Sequence, residues 1–150
     1  MASEALGNPV LQTFTMIRRI DDGVRDQIAE CLPEGLNVSQ YEALRLFDLK
    51  GDGLTPAELA QGLHLPKSVV TSILQHLEAK GYVRVEPWPD DGRRKQAWIT
   101  PAGREVYVGA VAAIRPKMEK LREAFTMQEF RDALPFLRAL QTWFAERDWA

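Results

Sequence analysis

A chain of 150 residues, 45% hydrophobic and 27% charged, is long enough to bury its own core and too apolar to be disordered. Its one cysteine, Cys31, excludes an intrachain disulfide framework, and no apolar run reaches the roughly 20 residues that cross a bilayer. The net charge of −2 disfavours phosphate contact on average, but residues 1–54 hold five Lys or Arg against nine Asp or Glu, whereas residues 55–100 hold six against five.

From Pro9 to about Leu32, Val10, Phe14, Ile17, Ile20, Val24 and Ile28 recur at steps of three and four. That spacing predicts one apolar stripe on a long helix, which Pro33 and Gly35 end. A second helix is expected from Ser39, capped by its hydroxyl with Glu42 completing the box, and Tyr41, Leu44, Leu46 and Phe47 form its inner face. Gly51-Asp52-Gly53 closes it as a turn. Thr55 and Glu58 make the next capping box, with Pro56 in the favoured first position of a short helix to Gly62. Pro66 then opens a helix to Lys80 that Gly81 terminates. On it, Val70, Ile73, Leu74 and Leu77 face inward, while Lys67, Ser68, Thr71, Ser72 and Gln75 face outward. An outer face this small and polar allows close approach to base edges.

Tyr82–Glu86 and Lys95–Ile99 alternate as paired strands, and Pro87–Arg94 reads as a turn-rich loop with Arg93, Arg94 and Lys95 at its tip. Thr100 and Pro101 start a helix to about Ala124, with a kink expected at Pro116. Thr126 and Glu129 cap the last helix, whose stripe is Phe130, Leu134, Leu137, Leu140 and Phe144, kinked at Pro135. The expected fold is mainly α with a small β-hairpin wing, in one domain over residues 1–150. A winged helix-turn-helix lobe (37–100) is flanked by dimerisation helices at 9–32 and 104–146.

The order of these elements, with LTPAELAQGL, VVTSILQHLEAKGYV and DDGRR…ITPAG, resembles the MarR family of winged helix-turn-helix transcriptional regulators. The likeness spans essentially the whole chain and is strongest over residues 54–104. It implies a homodimeric DNA-binding regulator, usually a repressor, released from a pseudo-palindromic double-stranded operator by a small aromatic or phenolic effector. By the same resemblance, Lys67, Ser68, Thr71, Ser72 and Gln75 would read the major groove. Arg93 would enter the minor groove, supported by Arg94 and Lys95, with Asp91 holding its fork by a charge-assisted hydrogen bond. Ser72 and Asp90 stand where arginines are frequent, which implies a shallow salt dependence. An effector is expected between the dimer helices and the lobe, against Phe14, Ile17, Tyr41 and Trp98 with Arg18 as a cationic anchor.

No Gly-rich phosphate loop or Ser-His-Asp set is present, so no catalytic residue is assigned and neither enzymatic activity nor a cofactor is expected. His64 and His76, twelve apart on different sides of a turn, do not have metal-ligand spacing. The N-terminus lacks a signal-peptide pattern, and a cytoplasmic protein without membrane attachment is expected. Two alternatives stay open. One is a winged-helix protein-interaction module without DNA binding, favoured by the missing charges at Ser72 and Asp90. The other is a redox-sensing regulator acting through Cys31, disfavoured by the acidic company of Glu30 and Glu34.

Overall fold

A computed structural model describes residues 7–147, so the outer ends of the expected 1–150 domain lie outside the described residues. The chain divides after Ile114 into two compact units. Among the described residues there are six helices and one two-stranded antiparallel hairpin. The first unit carries α1 (Pro9–Cys31), α2 (Val38–Lys50), α3 (Pro56–Leu63), α4 (Lys67–Ala79), β1 (Val83–Trp88) and β2 (Asp91–Ile99). Helix α5 (Pro101–Ala124) begins in it, and α6 (Met127–Ala145) lies in the second unit.

The core of the first unit is built from α2, α3 and α4, where Leu44, Leu59, Val70 and Leu77 are fully buried. Ile73 and Leu74 are buried beside them, so the inner face expected of α4 is the one observed. Tyr41 of α2 stacks on Tyr107 of α5 with ring centroids 5.8 Å apart. Burial raises the pKa of both phenols, since the phenolate would lose its hydration.

The caps show which local signals dominate. Asn37, not Ser39, caps α2: its carboxamide oxygen accepts from Gln40 N–H at 2.8 Å, and Gln40 Oε1 accepts from Asn37 N–H at 3.1 Å. The expected Ser39/Glu42 box is displaced because Glu42 is drawn to Arg25 of α1, 3.3 Å away. The Thr55/Glu58 and Thr126/Glu129 boxes form as read. Pro66 opens α4 with no side-chain cap, after His64 has turned the chain in the left-handed region at φ 52°. Gly81, at φ +77°, ends α4: its N–H donates to Glu78 O and the Tyr82 N–H to Leu77 O, both at 2.9 Å. This is a Schellman stop, which an L side chain would strain.

The hairpin corrects the expected loop. Strands continue through Pro87-Trp88 and Asp91–Arg94, leaving only Pro89 and Asp90 as the turn. Below it, Val83–Pro87 pair regularly with Lys95–Ile99, but the next pair is Trp88 with Asp91. Gly92, Arg93 and Arg94 are therefore a bulge on β2 that β1 does not match. Pairing of Pro87 with Lys95 and of Trp88 with Asp91 outweighed the turn propensities of Pro87 and Asp91. Leu54 adds one bridge to β2, exchanging hydrogen bonds with Ala97 at 2.8 and 3.1 Å.

Neither α1 nor α6 buries a residue. Phe14, Ile17, Ile20 and Val24 are exposed on α1, as are Phe130, Leu134, Leu137 and Phe144 on α6. Pro116 lies inside α5 and Pro135 inside α6. Among the described residues, no helix is long and apolar enough to cross a membrane.

Candidate nucleic-acid interface

Helix α4 is held by its buried side, which leaves two adjacent stripes facing outward. Lys67, Thr71, Gln75 and Glu78 form the first. They line a groove of about 480 Å³ whose far wall is Arg93, Arg94 and Lys95 of the wing. The first turn of α3, Thr55-Pro56-Ala57, contributes to the same groove. Four cations thus converge there, with Glu78 as the acidic lining residue. Thr71 donates its hydroxyl to Lys67 O at 3.0 Å, which leaves its oxygen lone pair and methyl group to face the groove.

Ser68, Ser72 and His76 form the second stripe. With Asn37, Ser39 and Gln40 at the start of α2, and with Val69 and Ile73, they line a separate recess of about 420 Å³. The eight residues expected to meet DNA are thus divided: six share the groove, and Ser68 and Ser72 lie in the recess.

The wing arginines are positioned by the bulge. Asp91 supports Arg93, but through the main chain: its Oδ1 accepts the Arg93 backbone N–H at 3.0 Å. The expected grip on the guanidinium does not form, because an Asp two residues before its partner reaches the backbone first. Arg94 lays its guanidinium over the Trp88 ring, 5.3 Å from the centroid. Arg84 is paired with Glu86 at 2.6 Å. Glu78 ties helix to wing, its Oε2 accepting the Val85 N–H at 3.0 Å. Glu78→Ala should therefore cost about 1 kcal/mol in urea unfolding, with Glu78→Gln retaining most of that bond. Equal stability of the two variants would remove this role.

Sequence reasoning missed Thr55–Ala57, Glu78 and the start of α2 as lining residues. The capping box marked where α3 begins, but which way that turn faces depends on how α3 lies against α4. The residues expected to line an effector crevice lie outside the groove and the recess. Tyr41 is spent in the core against Tyr107, and Trp98 lies over Gly53, where a β-carbon would come within 3.3 Å of its ring. Phe14, Ile17 and Arg18 lie exposed on α1, and none of the five lines the groove or the recess. Cys31 is a half-buried free thiol, and no metal-holding group of His, Cys, Asp or Glu occurs among the described residues.

A family model described as the MarR family matches residues 34–94. The HTH-type transcriptional regulator PrsX of Escherichia coli is 33% identical over 87 residues, covering 57% of this chain and 52% of PrsX. The chain thus spans about half the length of that curated relative. A solved MarR family transcriptional regulator from Silicibacter pomeroyi superposes with a TM-score of 0.75 at 26% identity, covering 99% of this chain and 97% of that one. A mutant MarR from Escherichia coli, solved with operator DNA, gives 0.79 at 21% identity over 89% of this chain and 96% of its own.

Proposed function

We propose that this chain, which matches the MarR family over residues 34–94, is a sequence-specific DNA-binding transcriptional regulator, a homodimeric repressor released by a small-molecule effector. The observation that carries the reading is the groove in which Lys67, Thr71 and Gln75 of α4 meet Arg93, Arg94 and Lys95 of the wing. A helix of small polar side chains beside a basic ribbon offers base contacts and phosphate contacts from one rigid lobe. The likeness to a MarR solved on its operator supports the same use of the lobe here. Ser68 and Ser72 are assigned to the same reading helix, one stripe around from the groove.

Dimerisation is assigned to the exposed apolar stripes of α1 and α6, since two lobes read a pseudo-palindrome better than one. Light scattering at micromolar concentration should give twice the 17.0 kDa chain mass. A monomer would remove the dimer from the proposal.

Mobility shift on the DNA flanking its gene, titrated with salt, tests the function itself. With four groove cations per lobe, a dimer should show a slope of log K against log salt no steeper than about −7. Absence of any shift at low salt would favour a protein-interaction module instead. An effector, on this reading, acts by binding more tightly to a lobe spacing that cannot fit successive major grooves.

A further inference from the structure

We propose that His76 makes DNA binding by this chain proton-linked, its ring Nε2 changing from a bare acceptor to a cationic donor at the recess beside α4. The inference rests on the DNA-binding reading above and adds a regulated contact to it.

The geometry begins with one hydrogen bond. His76 Nδ1 lies 2.8 Å from the carbonyl oxygen of Ser72, one turn back. A carbonyl only accepts, so Nδ1 carries the ring proton and donates it. In the neutral ring Nε2 is then an unprotonated acceptor, repelled by phosphate oxygens. It gains a hydrogen only when the ring takes up a proton from solvent, and the same event makes the ring a cation. Because the Nδ1 bond survives in both states, protonation changes the outer edge of the ring without turning it.

The surroundings leave that edge available. His76 is exposed, and the recess it lines is otherwise made of Asn37, Ser39, Gln40, Ser68, Val69, Ser72 and Ile73. None of these is charged, so no carboxylate among them holds the imidazolium in the free protein. The nearby carboxylates on the same elements are engaged elsewhere, and the nearby ammonium is tied to a recess residue. On α2, Glu42 faces Arg25 at 3.3 Å. On α4, Glu78 accepts from Val85, and the Lys80 ammonium just beyond the helix donates to Gln40 Oε1 at 3.4 Å. This stripe therefore gains one positive charge per protomer when the His76 ring takes up a proton.

The sign follows directly. DNA favours the imidazolium, so the bound state takes up a proton and affinity rises as pH falls, by no more than about tenfold per pH unit for each proton. The chain has only two histidines, so the assignment can be made cleanly. His64, the other, is the left-handed residue ending α3 and lines neither the groove nor the recess.

The test is fluorescence anisotropy of the full chain on a labelled duplex enriched from random sequence, at constant ionic strength. Between about pH 8 and about pH 6, wild type should tighten by about three- to tenfold. His76→Gln should flatten that profile, and His64→Asn, which suits a left-handed position, should leave it intact. Binding that is flat with pH in wild type, or that keeps its slope in His76→Gln, would overturn the proton linkage alone. No binding at any pH would overturn the functional reading and this inference with it. Long-range proton–nitrogen correlation spectra of the free protein give a readout independent of DNA. They should show the neutral ring of His76 protonated at Nδ1, and the Nε2-protonated tautomer would sink the proposal.

Discussion

Gly103→Ala should destabilise the protein by about 3 kcal/mol or more, read as a lowered urea midpoint at unchanged slope. Gly103 lies buried in the first turn of α5, where a β-carbon would collide with the Tyr82 carbonyl oxygen. The same β-carbon would come within 2.9 Å of the Tyr82 carbonyl carbon and 3.0 Å of Ile99 Cγ1. Backbone cannot swing aside as a flexible side chain can. That carbonyl is also held in place, accepting the Thr100 N–H at 3.0 Å, while the Thr100 hydroxyl donates to Gly81 O at 2.5 Å. One methyl group would therefore strain the junction where the end of α4, the root of the wing and the start of α5 meet. Gly109→Ala is the control, because a β-carbon there meets nothing within 4 Å. It should stabilise by up to about 1 kcal/mol through helix propensity. If the two substitutions had similar effects, the collision would not be what matters.

Arg93→Ala should weaken operator binding by about 1–3 kcal/mol for each copy engaged, so a dimer would lose up to about 6 kcal/mol. The reason is where the residue stands. The bulge carries Arg93 out of the ladder, and the Asp91 carboxylate fixes its backbone, so the side chain starts from a defined point with its guanidinium free of Asp91. Arg94→Ala should cost less, because that guanidinium already rests on Trp88. Anisotropy titrations at one salt concentration decide the order. An Arg94 effect exceeding that of Arg93 would reassign the wing contact.

Much of this was legible where the signal is local. The Thr55/Glu58 and Thr126/Glu129 boxes need only a four-residue motif, and the buried face of α4 needs only its period. Reading failed where a distant partner decides. Two overlapping boxes compete at the start of α2, and Arg25 settles the contest by drawing Glu42 away. The wing looked like a loop because Pro87, Pro89 and Asp91-Gly92 are turn formers one by one, yet ladder pairing extends both strands. Tyr41 is buried on the inner face of α2 as its period implies, but no spacing announces that Tyr107, sixty-six positions on, is its stacking partner. Likewise no spacing in the chain could announce that α3's first turn walls the same groove as Arg93.

The unmatched residues on β2 also separate two properties that a regular hairpin would couple. In an even ladder, adding or deleting one residue slips the register and turns every side chain to the other face. Here the pairing of Val83–Pro87 with Lys95–Ile99 is complete before Gly92–Arg94 are reached, and Ala97 is pinned from its other side by Leu54. Insertions or deletions among residues 92–94 would change how far the basic tip extends while Ala97 stays buried and Trp98 keeps its place over Gly53. The reach of the wing is thus an adjustable dimension of this scaffold, free to drift or be engineered without renegotiating the fold that holds it.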